Sequence, residues 1–425
     1  MFGLAAHRTS ARTELLAGLT TWLTMAYIVV VNPAILADAG IDHGAAFVAT
    51  CVAAAIGSAA MGLIANLPLA LAPGMGLNAY FTYTVVKGMG VPWQTALGAV
   101  FISGVLFLLI SVFRIREWLI NAIPLGLKLG IGAGIGLFLG LIGLRDMGVV
   151  GANPQTLVTL GHLTAIPVLL SCAGFLLIAG LAARDFPAAI LVGILATAAL
   201  GVPFGLTAFH GVVAPPPSLA PSFLKLNIAA ADALGIPTVI LTFFLVDVLD
   251  NAGTLIATTH RAGLMRADGT VPRLREALLA DSGGAILGAL LGTSTTTSYI
   301  ESASGIEAGG RTGLTALVVA ALFLLALFFA PLATAIPVFA TAPALVFVAC
   351  LMLRALADLA WTDPTEAIPA VVLAIATPFT FSIASGIGFG FVVYAVVKTA
   401  SGRAREVAGA VWLIAALSLL RFALA

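Results

Sequence analysis

Leu69-Ala-Leu-Ala-Pro-Gly-Met-Gly-Leu-Asn-Ala-Tyr-Phe81 and Gly292-Thr-Ser-Thr-Thr-Thr-Ser-Tyr-Ile-Glu301 interrupt a chain that is otherwise apolar and helix-forming. The first holds Pro73-Gly-Met-Gly76 and the second a run of β-branched threonines, so neither suits a helix interior. Irregular backbone at membrane depth survives only where it is buried in protein or lines a cavity. Two such interruptions at matching places in two halves of a chain are the pattern of a transport site at a repeat interface.

The surrounding sequence supplies the membrane. Hydrophobic residues make up 61% of the 425 and charged residues 9%, and mean hydropathy is +1.14. These values lie far outside the soluble range. The uncharged runs Gly44 to Val86, Thr312 to Leu353 and Ile368 to Val397 exceed the ~20 residues of one spanning helix and must hold two spans each. We read an all-α polytopic protein with fourteen transmembrane segments. Seven run from 15–38 to 186–204 and seven from 236–258 to 384–400. With the N-terminus inside, the cytoplasmic loops receive fourteen basic residues, among them Arg8, Arg116, Arg261, Arg311 and Arg403. The outer loops receive only Lys87, Arg145 and Lys225. That asymmetry follows the positive-inside rule, and an odd number of spans before Arg114 or Arg261 would destroy it.

Seven spans per half give the halves opposite orientations, so residues 1–204 and 236–400 are expected to be inverted repeats. Ala122-Ile-Pro124 and Ala335-Ile-Pro337 open corresponding spans. Between the halves, 205–235 carries Pro215-Pro-Pro-Ser-Leu-Ala-Pro221 and reads as an extracytoplasmic connection. Residues 401–425 read as a C-terminal interfacial segment. Leu15 onward is too long for a signal peptide and reads as a retained first span. Cys51, Cys172 and Cys350 each sit in an apolar run and read as small core residues.

Two carboxylates stand out. Asp250, in Leu245-Val-Asp-Val-Leu-Asp-Asn-Ala-Gly-Thr-Leu255, lies roughly 21 Å along its span. Glu301 closes the threonine-rich stretch. A charge at that depth costs at least ~2.5–3.5 kcal/mol and usually marks a substrate or ion path. A carboxylate in a cavity can accept N–H bonds from a planar heterocycle and can also bind and release a proton. One site can then both hold a ligand and couple it to protons, through Glu301, Asp250 and Asp247, three residues before Asp250. The competing account of each is a structural cap or pair. Asn78, with Gly76, is the first-half counterpart and offers an amide to a ligand or to the freed backbone. Phe243, Phe244 and Tyr299, beside Thr297 and Ser298, can stack on a flat ring or simply pack. Gly132, Gly136 and Gly140, and later Gly386 and Gly390, form small-residue faces for close helix approach. Glu276 and Asp281 read as the polar end of the ninth span, as do His260 and Arg261 for the eighth.

No Gly-Lys-Ser/Thr phosphate loop, His-Glu-x-x-His element or Cys/His cluster is present, which argues against ATP drive and a zinc enzyme. Most of the 19 basic residues lie at membrane edges, so nucleic acid is not an expected partner.

Thr20-Thr-Trp-Leu-Thr-Met-Ala-Tyr-Ile-Val-Val-Val-Asn-Pro33, Ala72-Pro-Gly-Met-Gly-Leu-Asn-Ala-Tyr-Phe81 and Thr293-Ser-Thr-Thr-Thr-Ser-Tyr-Ile-Glu-Ser302 resemble the AzgA-like adenine/guanine/hypoxanthine permeases of the nucleobase/ascorbate transporter group. The resemblance covers nearly the whole chain. It implies two inverted seven-span repeats divided into core and gate domains, and proton-coupled purine uptake by an elevator-like movement. By motif match it places the family's binding carboxylates on Asp250 and Glu301 and its functional asparagine on Asn78. The family commonly has threonine where this chain has Asn251, which puts the preference among purines in question. The expectation is therefore a purine:proton symporter of the plasma (bacterial inner) membrane with both termini cytoplasmic. No cofactor is expected, the proton gradient supplying the drive, and a homodimer is compatible with the family. The alternatives are an anion carrier of the same architecture, whose substrate two carboxylates would repel, and an intramembrane enzyme or channel.

Overall fold

The computed structural model describes residues 2–112, 123–209, 211–229, 236–261, 264 and 273–424. Within 236–261 several side chains lie outside the description, among them those of Asp250, Gly253, His260 and Arg261. The chain is mostly helical. Among the described residues, seven helical stretches of 18 residues or more are apolar enough to cross a membrane, from Ala11–Asp38 to Ile383–Ala400.

The first of these is two helices, α1 (Ala11–Met25) and α2 (Ile28–Asp38), parted at Ala26 and Tyr27. Ser10 caps α1 by accepting from Thr13 N at 3.2 Å. Asp42 caps α3 (His43–Ala60) by accepting from Ala45 N at 2.8 Å. After a wider helical turn at Met61–Ala65, the chain runs through β1 (Leu71–Pro73), α4 (Met75–Ala79) and α5 (Trp93–Val112). Next comes α6 (Leu125–Asp146), which starts straight after Pro124 as the Ala-Ile-Pro reading expects. A β-hairpin that the sequence did not announce follows, Val150–Asn153 with Leu157–Leu160 as β2 and β3. Then come α7 (Ile166–Ala182) and α8 (Ala189–Gly201).

The later half comprises α9 (Ile236–Arg261), α10 (Leu274–Leu291), β4 (Thr296–Ser298), α11 (Ser302–Glu307), α12 (Gly313–Ala326) and α13 (Ala330–Thr334). It closes with α14 (Val338–Leu353), α15 (Pro364–Phe379), α16 (Ile383–Ala400) and α17 (Gly409–Leu424).

The two interruptions meet. β1 and β4 pair antiparallel, with Leu71 opposite Ser298, Ala72 opposite Thr297 and Pro73 opposite Thr296. Gly74 N to Thr295 O at 3.0 Å and Tyr299 N to Ala70 O at 2.9 Å lengthen the ladder. Two isolated three-residue strands would not hold in water. Here every strand residue is buried, and pairing satisfies backbone groups that left the helical pattern. Ser58 of α3 completes the outer side of Leu71, accepting from its N–H at 2.9 Å and donating to its carbonyl at 3.0 Å. Ser302 accepts from Ala70 N at 3.0 Å.

By packing, the chain forms two compact units, Met1–Val112 with Asp146–Ala344, and Phe113–Arg145 with Leu345–Ala425. Each draws on both halves of the sequence. In the first unit, the wider turn after α3 and the start of α12 approach so closely that a Cβ on Gly62 would lie 2.5 Å from Gly313 O. The connecting region is stitched to helix ends by Asn227 N to Gln94 O and Leu224 N to Leu290 O, both 2.8 Å. A buried carboxylate, Glu14, accepts from Arg311 N at 3.0 Å and from Thr315 Oγ1 at 2.6 Å at the start of α12.

In the second unit α15 and α16 are packed through small residues. A Cβ on Gly386 would meet Thr377 Oγ1 at 2.0 Å, and one on Gly390 would meet Leu373 at 2.7 Å. Gly136 and Gly140 lie against α14 at Met352 and Ala349, whereas a Cβ on Gly132 would meet nothing within 4 Å among the described residues. Lys398, 1% exposed, bridges Glu366 at 2.8 Å and Glu406 at 3.0 Å. Arg403 bridges Asp363 and Glu406, each at 2.8 Å. Hydrogen bonds from the Arg403 guanidinium hold the Asp363 carboxyl well below the usual range, and those from Arg403 and Lys398 lower Glu406 to about 2. The core reading of the cysteines holds for Cys51, which is buried, and fails for Cys350, which is exposed.

Candidate functional site

The site residues gather on the elements that flank the strand pair. Glu301 follows β4 and directly precedes α11. The Tyr27 hydroxyl, at the parting of α1 and α2, donates to Glu301 Oε1 at 2.8 Å. Ser304 Oγ donates to the Glu301 carbonyl at 2.7 Å and lies 3.0 Å from Thr24 Oγ1, so the backbone turn that carries the carboxylate is fixed from both sides. The half-buried carboxylate thus has a neutral phenol as partner and keeps capacity for a further donor.

Asp247 lies on α9 and is 1% exposed. It accepts from Asn251 Nδ2 at 2.9 Å and from Thr295 Oγ1 at 3.1 Å. Asn251 turns its other end to β4, accepting from Ser298 N at 2.8 Å. Ser298 Oγ donates to Asp281 Oδ1 on α10 at 3.3 Å. One continuous set of bonds therefore ties α9, α10 and β4. Asp281 is fully buried within that set, which corrects its reading as part of a polar helix end. Asn251 is likewise committed to backbone and carboxylate, so its visible work is to hold β4 against α9. Asp250 is helical in backbone, one turn beyond Asp247, and its side chain lies outside the described residues.

Asn78 of α4 is fully buried and donates through Nδ2 to Asn32 Oδ1 on α2. Asn32 in turn donates to Thr50 Oγ1 at 2.8 Å and to Thr293 Oγ1 at 3.0 Å. Phe243 packs edge-on to Tyr80, ring centres 5.1 Å apart at 67°, so its nearest aromatic contact is within the protein. Phe244 and Tyr299 are buried, and the Tyr299 hydroxyl donates to Pro73 O at 2.5 Å across the strand pair. Thr297 faces Gly74, where a Cβ would sit 3.0 Å from Thr297 Cγ2. Gly76, within α4, receives Tyr80 N at its carbonyl. Around these elements Asn78 Oδ1, Thr82 Oγ1, Ser294 Oγ and Thr296 Oγ1 are buried polar atoms with no partner among the described residues. Such a concentration of unmet groups calls for a cause beyond folding.

Sequence reasoning missed Tyr27 and Asn32 as members of this site. Both are in the Thr20–Pro33 motif, and the available signal was a phenol and a lone amide in the apolar run before Pro33.

The fold is shared with membrane transporters. The transmembrane domain of a cyanobacterium bicarbonate transporter, BicA, superposes with a TM-score of 0.68 over 88% of this chain and 96% of that one, at 16% identity. Murine Slc26a9, an anion transporter in the inward-facing state, matches with a TM-score of 0.67 over 92% of this chain and 68% of that one. The chain is a multi-pass membrane transporter and not an enzyme. It belongs to the Xan_ur_permease family, described as a permease family, whose profile matches residues 12–417. The adenine permease AdeP of Escherichia coli (strain K12) is 49% identical over 99% of this chain and 95% of its own. The guanine/hypoxanthine permease PbuG of Bacillus subtilis (strain 168) is 46% identical over 94% of this chain and 93% of its own.

Proposed function

We propose that the protein is a proton-coupled symporter that imports purine nucleobases such as adenine, guanine and hypoxanthine. Fourteen segments in two inverted seven-span repeats, interrupted in the third and tenth at β1 and β4, form its frame. An elevator-like movement of a core against a gate gives alternating access. Both termini face the cytoplasm, the membrane is the plasma membrane, and the active form is a homodimer.

The observation that carries this reading is the pair of carboxylates bound to the interrupted segment. Glu301 emerges from β4 and Asp247 is bonded to Thr295 just before it. Carboxylates on a membrane path suit N–H donors and protons and disfavour anions. The bicarbonate-type alternative, though it shares the fold, has no such use for them. The names of the relatives, adenine and guanine/hypoxanthine permeases, support the substrate class. Glu301, with Asp250 and Asp247, takes the proton. Asp250, Glu301, Asn78 and the Gly76 and Thr297–Tyr299 backbone hold the base, beside Phe243 and Phe244.

The test is uptake into proteoliposomes. Glu301→Gln keeps shape and hydrogen bonding but cannot titrate. Proton-driven accumulation of labelled purine should vanish while the protein remains inserted and folded. Full accumulation by that variant would remove the assignment.

A further inference from the structure

Asn78 has one half of its amide committed and the other unmet. The orientation of a buried amide is read from its network, and here the network fixes it. The chain of bonds starts at a backbone carbonyl, which can only accept. Ala46 O receives the Thr50 hydroxyl at 2.6 Å. With its single proton committed there, Thr50 Oγ1 can only accept from Asn32, 2.8 Å away. Asn32 therefore points its NH2 at Thr50 and Thr293, and its oxygen faces Asn78. Two carbonyl oxygens repel at hydrogen-bonding distance, so Asn78 presents its NH2 to Asn32 and is left with a bare Oδ1.

Reversing the sequence would place lone pairs of Ala46 O and Thr50 Oγ1 face to face at 2.6 Å. Thr50, Asn32, Asn78 and Thr293 are all 0% exposed, so solvent does not scramble these roles. The outcome is a buried acceptor without a donor among the described residues, a state that destabilises the fold. It is worth keeping only if something else donates to it.

We infer that Asn78 offers its Oδ1 to the transported base as a hydrogen-bond acceptor, held in that orientation by Asn32 and Thr50. That oxygen then reads an N–H or amino group of the ligand. Asn32 and Thr50 are positioning residues that act through Asn78. The inference rests on the purine reading above and narrows it, because the sequence alone left Asn78 free to donate or accept.

The experiment is competition against labelled adenine on purified full-length protein, with two series of purine analogues. One series lacks a single donor at a time, by N-methylation or loss of the amino group. The other lacks a single acceptor at a time, by replacing a ring nitrogen with carbon. In the wild type, one donor-deleted analogue should bind about tenfold or more weakly than its parent. Asn78→Leu should erase that penalty and leave those of the acceptor-deleted series in place. Asn32→Leu should shrink the same penalty to below about threefold although Asn78 is intact. Thr50→Val, close in shape to threonine, should do likewise if Asn32→Leu does not fold.

If the penalty erased by Asn78→Leu belongs to an acceptor-deleted analogue, the inference is wrong. It is equally wrong if the folded relay variant retains the full donor penalty. Failure of the wild type to bind any purine would instead overturn the purine reading itself.

Discussion

Asn251 holds β4 to α9 through two bonds, and replacing it with leucine removes both while keeping the side chain's bulk. Ser298 N loses its 2.8 Å acceptor and Asp247 Oδ1 loses its 2.9 Å donor, in surroundings where Asp247 is 1% exposed and Ser298 is 3% exposed. A buried N–H left without a partner costs about 1–3 kcal/mol, and a bond to a charged group is worth about 1.5–3 kcal/mol. The two together make Asn251→Leu destabilising by roughly 2.5–6 kcal/mol, since leucine satisfies neither. At about 2.1 cal/mol/K of unfolding entropy per residue, each kcal/mol moves the melting temperature of a chain of this size by about 1 °C. We expect the purified variant, followed by fluorescence-detected size exclusion after heating, to melt about 3–7 °C below wild type. Asn251→Asp keeps the acceptor for Ser298 but sets a second carboxyl against Asp247 in place of the donor, so it too should melt below wild type. A leucine variant that melts within 2 °C of wild type would refute the claim that this amide anchors the strand.

Three further outcomes follow from the geometry. Tyr27→Phe removes only the hydroxyl that meets Glu301, and the KM for purine uptake should rise about tenfold with Vmax per inserted protein within twofold; an unchanged KM counts against Tyr27 as a positioning residue. Gly386→Ala places a methyl 2.0 Å from Thr377 Oγ1, so monodisperse protein should largely disappear on size exclusion, and Thr377→Ala in the same chain should restore part of it. Arg403 depresses the carboxyls of Asp363 and Glu406, so its contribution is present above the ordinary carboxylate range and is lost as pH falls toward about 2. The difference in melting temperature between wild type and Arg403→Gln at pH 7 should therefore narrow progressively as pH falls from about 4 toward 2, and a constant difference would contradict the assignment.

Much of the helical frame is legible from uncharged runs and from where arginines interrupt them. Pro73-Gly-Met-Gly76 and the threonines of 293–297 mark the two stretches that leave the helical pattern, because ring closure and β-branching act locally. Their partnership is not local. A three-residue register across more than two hundred residues has no periodicity to read, and only the folded chain shows Leu71 opposite Ser298. Asp281 was misplaced because it lies close to the charged start of its helix, and its burial depends on Ser298 arriving from another element. Tyr27 and Asn32 look like packing in an apolar run, since their partners Glu301 and Asn78 are fixed by tertiary contact. The β2–β3 hairpin escaped notice inside a long uncharged run, although Asn153, whose side chain accepts from Gln155 N at 2.8 Å, is a turn residue.

The strand pair also sets an order of events during synthesis. β1 emerges from the ribosome about 230 residues before its partner β4. At roughly 5–20 residues per second, it waits on the order of 10–50 s with one edge unpaired. Ser58, already made, is available to both backbone groups of Leu71 on the opposite side of the strand. The same hydroxyl that trims the finished sheet thus leaves a nascent β1 with one open edge instead of two, which limits pairing with the wrong chain. Ser58→Ala should therefore lower the yield of folded protein in rapid expression more than it lowers the melting temperature of what survives.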